Sequence, residues 1–338
     1  MIAFGVHQDV VVYRISDLTE GRDIARMGFL ADVESVAFSP CGTLVVAGLG
    51  SRLVEMRSLL DAGFKRVFQG HGNAARRVLF SLCGSFLISG SWDRTVKIWD
   101  SAAGVCLATA DCGDMVCGLA LLPGGREVLA GTWDGTLVAV GMEGVKRREV
   151  QIAGGSAVTA LACAGDAVVV GLHDGRLQLR EAARLDHVVW SSQLHKQWIN
   201  EVCVSPSRAE IATASSDCTS AVVSIATGEI LKVLRGHTNF VRTVLFSPDG
   251  SKVITGSIDK TVRVWPIRPA AESRLASLLH LVNPAKQLYE GEEVARIVWN
   301  RVKRILFTEV ERGDIQGFEK GSGCFQCSWE TDFSTSIH

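Results

Sequence analysis

The chain is poor in the features that would assign it to most functional classes. None of its apolar runs approaches the roughly 18 to 20 residues that a membrane span needs. The opening MIAFGV is too short for the apolar region of a secretory signal and is interrupted by His7, Gln8 and Asp9. Excess charge of one sign is missing, since 35 Lys and Arg against 36 Asp and Glu leave a formal net charge of −1. That balance argues against general nucleic-acid binding, for which a strongly basic domain or stripe is expected. The basic clusters Lys146, Arg147, Arg148 and Arg301, Lys303, Arg304 are read as solvated loop charges. A Gly-rich phosphate loop and an unrepeated nucleophile with its base are both lacking, so no catalytic residues and no cofactor are expected. The ten cysteines form no disulfide framework, which points to a reducing compartment. Cys117, Cys163 and Cys203 are read as small apolar fillers at equivalent strand positions. Cys324 and Cys327 in GCFQCSWE have metal-knuckle spacing. A structural zinc normally needs four ligands, however, and no second such pair exists, so no metal is expected. The location expected from this reading is inside the cell, in the cytoplasm, with the nucleus as the second compartment.

Proline is scarce, at 7 residues against 34 Gly and 47% hydrophobic residues. Such a chain can fill a core and still make many turns. What it does have is an interval. Asp9, Ser51, Asp93, Asp134, Asp174, Asp217, Asp259 and Arg312 lie 42, 42, 41, 40, 43, 42 and 53 residues apart. A period of about 40 to 45 residues is the one expected for four-stranded propeller blades, and a repeat array escapes the size limit of a single core because each unit packs only on its neighbours.

Two units show what is repeated. HGNAARRVLFSLCGSFLISGSWDRTVKIWDS (71–101) aligns without a gap on HTNFVRTVLFSPDGSKVITGSIDKTVRVWPI (237–267), with 16 of 31 positions identical. Each reads as a His, an alternating apolar run, a turn, a second run ending SGS or TGS, a tight turn carrying Asp, and a third run closing on Trp99 or Trp265. Period-two alternation broken by Gly, Pro, Asp and Ser is the signature of short antiparallel strands. The chain resembles the WD-repeat family of β-propellers, and the WD dipeptide itself is present as Trp99 and Asp100. The resemblance implies an all-β fold, a closed propeller of four-stranded antiparallel blades forming a single domain over 1–338. Its units run about 1–30, 31–70, 71–110, 111–153, 154–195, 196–236 and 237–270. Residues 271–293 read as an insertion, and 294–338 as a closing strand or a degenerate extra unit. If only the innermost strand near Arg296 to Trp299 joins the N-terminal strands, the ring has seven blades, the expected number; if 294–338 forms its own blade, there are eight.

His71, Ser89 and Asp93 recur as His237, Thr255 and Asp259 and superficially suggest a catalytic set. Their repetition argues against that. In the WD-repeat family these residues and the closing Trp form a buried hydrogen-bonded relay, completed here by Trp99 and Trp265. A buried carboxylate and imidazole must be paired in any case. The remaining units lack the full set.

Function is then expected from a surface. The resemblance implies a protein partner bound at the narrower, top end of the ring, through three positions per unit. Five residues after the His position stand Glu34, Arg76, Cys117, Thr159, Asn200 and Arg242; three after it, Asp32, Ala74, Met115, Ala157, Trp198 and Asn239; before the turn Asp, Gly50, Trp92, Trp133, His173, Ser216 and Ile258. Trp and Arg are the residues most enriched in binding hot spots. The expected partner-binding set is Glu34, Arg76, Trp92, Trp133, His173, Trp198, Asn200, Asn239 and Arg242, on a non-catalytic interaction scaffold within a multiprotein assembly. The alternative is a substrate receptor of a cullin-type ubiquitin ligase, because VITGSIDKTVRVWPIR (253–268) follows a motif of that kind through Trp265 and Arg268, with Pro266 in place of its acidic residue.

Overall fold

A computed structural model describes residues 1–6, 8–13 and 23–267, all within one compact unit, Met1–Ser273. Every regular element among them is a strand, and the strands form seven antiparallel sheets arranged as the blades of a propeller, numbered here 1 to 7 in chain order. Blades 2 to 6 have four strands each. Blade 1 (Ile2–Val6, Asp9–Tyr13, Asp23–Gly28) and blade 7 (Val241–Phe246, Lys252–Ser257, Val262–Pro266) have three among the described residues. Residues 268–338, and with them the expected insertion, the closing strand, Arg268, Arg301 to Arg304, Cys324 and Cys327, lie outside the described residues.

The first strands of blades 2 to 7, beginning at Val33, Ala75, Val116, Val158, Ile199 and Val241, face a common axis. The fourth strands form the rim, and those of blades 4 and 5 are open to solvent at alternate residues. Lys146, Arg147 and Arg148 sit on such a rim strand, Lys146–Gln151, and not on a loop. They pair with Glu149, Glu143 and Glu127.

The cores lie between blades. Among the described residues there is one apolar cluster for each pair of successive blades, such as Ile88, Ile98, Val116, Leu119, Val128 and Val138 between blades 3 and 4. Close approach is made possible by a glycine late in the second strand. A Cβ on Gly131 would lie 2.2 Å from Val158 Cγ1, on Gly90 2.6 Å from Val116 Cγ1, and on Gly48 2.4 Å from the Ala75 carbonyl. In each case the obstacle is the first residue of the next blade's inner strand. Gly5 meets Val33 in the same way, at 2.7 Å, so Ile2–Val6 packs as second strands do elsewhere.

Turns between first and second strands carry an acidic group in three blades. In blade 7 Asp249 accepts hydrogen bonds from the Ser247 and Ser251 hydroxyls. Cys41 and Cys83 stand there in blades 2 and 3, and contacts with the Ser39 and Ser81 hydroxyls bring each exposed thiol down to about 7. Cys117, Cys163 and Cys203 do not share one strand position: Cys117 is the second residue of its inner strand, whereas Cys163 pairs with Val168 and Cys203 with Ala212, at different heights.

Gly131→Ala is expected to destabilise the protein by roughly 1–3 kcal/mol, because the added methyl must displace Val158. Gly28→Ala serves as the control, since its Cβ would meet nothing closer than Asp9 Oδ1 at 3.6 Å. Denaturant unfolding of the two variants checks this, and equal losses would contradict the packing described.

Candidate interaction face

Each inner strand of blades 2 to 7 breaks register with its neighbour after its first residue: Val33/Ser35, Ala75/Arg77, Val116/Gly118, Val158/Ala160, Ile199/Glu201 and Val241/Thr243. The residues skipped are Glu34, Arg76, Cys117, Thr159, Asn200 and Arg242. A bulge releases one residue from the ladder and re-aims its side chain, so all six leave the alternation of core and groove and gather at one end of the axis.

The bulge also releases backbone carbonyls, and one side chain collects them. Arg77 of blade 3 donates from Nε to the Cys117 carbonyl (3.1 Å) and from Nη2 to the Asn200 carbonyl (2.8 Å), with Thr159 O at 3.5 Å. A single guanidinium therefore reaches blades 4, 5 and 6 across the axis. Other bulge residues link neighbours. Thr159 Oγ1 donates to the Ile199 carbonyl at 2.5 Å, Asn200 Nδ2 to the Val241 carbonyl at 2.8 Å, and Arg76 Nη1 to the carboxylate of Glu34.

Around this mouth runs a second set of positions. The residue before the turn Asp donates its N–H to the carbonyl of the residue before the inner strand: Gly50 to Asp32, Trp92 to Ala74, Trp133 to Met115, His173 to Ala157, Ser216 to Trp198 and Ile258 to Phe240. The last pair corrects the register expected in blade 7. Phe240, 41% exposed, holds the position assigned to Asn239, which lies one residue earlier with its Oδ1 accepting from the Phe240 N–H. The reason is that His237 stands three residues before Phe240, as His71 stands before Ala74.

Three of the expected aromatic residues come together. Trp133, His173 and Trp198, from blades 4, 5 and 6, have ring centroids 5.2 Å (Trp133–His173), 5.6 Å (Trp133–Trp198) and 4.1 Å (His173–Trp198) apart. Edge-to-face and offset pairs of this kind are each worth about 0.5–1.5 kcal/mol beyond area burial, so the cluster holds its own shape. Burial in it depresses His173 below the ordinary imidazole range. Trp92 stands apart, with the Arg76 guanidinium 5.5 Å from its ring centroid. Trp92, Trp133 and Trp198 nonetheless remain 38%, 37% and 39% exposed. With Arg76, Met115, Cys117, Thr159 and Asn200 they line a cavity of about 310 Å³.

Below this face the relay residues meet as polar chains. Trp99 Nε1 donates to Ser89 Oγ (2.8 Å), Ser89 Oγ lies 2.7 Å from His71 Nε2, and His71 Nδ1 lies 2.8 Å from Asp93 Oδ2. Burial holds the imidazole below its ordinary value, so His71 is neutral, with Nε2 accepting from Ser89 and Nδ1–H donating to Asp93. Burial by itself would raise the Asp93 carboxyl, but hydrogen bonds from Thr95 and Gly72 and the neighbouring His71 bring it down to about 2. Blade 7 repeats the chain through Trp265, Thr255, His237 and Asp259. Blade 6 holds a relay that the motif reading passed over: Thr213, His195 and Asp217, at 2.7 and 3.0 Å. Val223 replaces the Trp, and the Ala221 N–H donates to Thr213 instead. The signal was present in the sequence, since His195 precedes Asp217 by 22 residues, the interval from His71 to Asp93 and from His237 to Asp259. Among the described residues no group of three His, Cys, Asp or Glu could hold a metal, and no helix is long and apolar enough to cross a membrane.

The family model for the WD domain, G-beta repeat, matches residues 63–100 and 228–266, which cover strands of blades 2 and 3 and of blades 6 and 7. The chain is 28% identical over 211 residues to the nuclear distribution protein PAC1 of Coccidioides posadasii, covering 60% of this chain and 40% of that protein. It is 25% identical over 320 residues to telomerase protein component 1 of Rattus norvegicus, covering 76% of this chain and 12% of the relative. Apoptotic protease-activating factor 1 of Danio rerio is 26% identical over 239 residues, with 71% and 16% covered. The chain thus spans well under half the length of each of these relatives. Its propeller blades and its two repeat matches support a place in the WD-repeat family. Propellers of this family are generally non-catalytic and serve as protein-interaction scaffolds.

Asp93→Ala, Asp217→Ala and Asp259→Ala are each expected to destabilise by roughly 1–3 kcal/mol, since each strands a buried imidazole. Asp174→Ala, which removes an exposed carboxylate that accepts from the Arg176 guanidinium and the Arg176 N–H, is expected to cost less in the same unfolding experiment. Because the Asp93 carboxyl is held at about 2 against an ordinary 3.8, it contributes roughly 2 kcal/mol above pH 4. That contribution is lost as the pH falls from 4 towards 2. The drop in melting temperature over that range should be smaller in Asp93→Asn than in wild type.

Proposed function

We propose that the chain is a non-catalytic scaffold that binds a segment of a partner protein across its top face, with large apolar side chains of the partner seated on Trp92, Trp133 and Trp198. The observation that carries this reading is the cavity of about 310 Å³ bordered by three tryptophans that are each more than a third exposed. Exposed aromatics grouped round a concavity mark binding sites, whereas scattered apolar residues do not. Trp133 and Trp198 are braced by each other and by His173, so little rotamer freedom remains to be lost when a partner arrives. Arg76 adds a cation beside the cavity while pairing with Glu34, and Asn200 contributes a wall while bridging blades 6 and 7. The eight cysteines among the described residues are all free thiols, which supports a reducing compartment, cytoplasm or nucleus, for this activity. For the ubiquitin-ligase alternative, the part of its motif within the described residues is occupied structurally. Val253 and Ile254 are buried, and Thr255, Asp259 and Trp265 belong to the relay.

Trp92→Ala and Trp133→Ala are expected to weaken partner binding by about thirtyfold or more, the effect of truncating a central aromatic hot spot at about 2 kcal/mol. The melting temperature should be unchanged within a few degrees, because neither ring is in a blade core. Affinity capture followed by titration of the captured, purified partner checks this. Wild-type affinity in both folded variants would move the search to the rim strands.

A further inference from the structure

Resting on the top-face reading, the charges at the mouth say which kind of segment it takes. Within electrostatic reach of Arg242 stand Arg76, Arg77, Glu34 and Glu201. Arg76 is paired with Glu34 and lies over the ring of Trp92. Arg77 spends its donors on carbonyls of blades 4 to 6. Glu201 accepts from the Val244 N–H. Arg242 is half-buried, and among the described residues its guanidinium makes no hydrogen bond or ion pair. Among the described residues within this reach, three guanidinium groups, Arg242 included, face two carboxylates, an excess of one positive charge around Arg242, and Arg242 is the cation of the three that makes no hydrogen bond or ion pair. A half-buried guanidinium left without an acceptor is costly, and its planar fork suits a carboxylate in two-point contact.

The apolar surface lies on both sides of Arg242. On one side is the cavity, reached through Asn200, whose amide bonds to the Val241 carbonyl. On the other, on blade 7, are Phe240 and Ile258, 41% and 48% exposed and joined by a backbone hydrogen bond of 3.0 Å. We propose that the top face recognises an internal acidic residue of an extended protein segment, its carboxylate held by Arg242 and its flanking large apolar residues seated in the tryptophan cavity and against Phe240 and Ile258. One negative charge neutralises the surplus. A dianionic phosphoryl group would instead leave excess negative charge beside Glu34 and Glu201. A chain terminus would leave one of the two apolar flanks empty.

The test is selection from a random twelve-residue display library on the full chain, followed by titration of the resynthesised consensus peptide. The expected consensus has Asp or Glu with large apolar residues on both sides. Replacing that acid by its amide should weaken binding at least tenfold on wild type and less than twofold on Arg242→Gln. Selection on Arg242→Glu should recover Lys or Arg at the acidic position. Melting curves confirm folding, and Arg242→Lys, which keeps the charge and loses the fork, should retain the preference at reduced affinity. The proposal is overturned if the amide peptide binds wild type equally well or if the acid preference survives in Arg242→Gln. It is likewise overturned if a phosphoserine peptide binds tenfold better than the glutamate peptide, or if the selected acid is always the terminal carboxylate. Sensitivity to Trp133→Ala with indifference to Arg242 removes this inference alone. Indifference to Trp133→Ala, or no enrichment of any peptide on wild type, removes the top-face reading as well.

Discussion

The close approach of each blade to the next is the constraint on which the rest depends. The apolar clusters lie between sheets, so their burial requires that successive blades meet without a gap. The meeting point is the glycine late in the second strand against the first residue of the next inner strand. In blade 6 that glycine's place is taken by Ala214, which pairs with Glu201 as Gly171 pairs with Ala160. No larger residue occupies it in any of blades 2 to 7. The bulge follows one residue further along the inner strand, and with it the ring of six side chains and the set of carbonyls that Arg77 binds. Packing at the blade interface and presentation at the mouth are therefore two results of the same local geometry.

Polar organisation is less even than apolar packing. Blades 3 and 7 hold four-membered relays and blade 6 a three-membered one. In blade 4, Thr132 donates to Asp134 and accepts from the Thr136 N–H, with no imidazole between. A connected polar network selects one strand arrangement over its neighbours in register. Blades 4 and 5, which lack the imidazole, lie between blades that have it and carry a large apolar cluster of their own.

The period, the antiparallel blades and the all-β class were legible because they rest on spacing and alternation, which survive local substitution. The relay was legible where all four members kept their side-chain types. In blade 6 the closing Trp is Val223, and a search anchored on Trp passes over His195. The register of the face was legible to within one residue. Asn239 and Phe240 differ by a single step, and the ungapped alignment of 71–101 on 237–267, which sets Phe240 opposite Ala74, already decides between them, in agreement with the backbone bond from Ile258. Arg77 could not be read from the sequence at all. Its neighbour Arg76 has a counterpart in Arg242, whereas Arg77 aligns with Thr243, and a role performed once in a ring leaves no repeat to detect. That Trp133, His173 and Trp198 touch one another likewise depends on the curvature of three blades and on no pattern within one.

Arg77 also bears on how the mouth responds to a load. Its guanidinium ties the inner strand of blade 3 to those of blades 4 and 6, so displacing any of the three outward must break charge-assisted bonds shared with the others. The floor of the face consequently behaves as a stiff template. If a partner segment binds there as proposed, the conformational adjustment would fall to the segment, and affinity would follow how far each segment is already extended before it arrives.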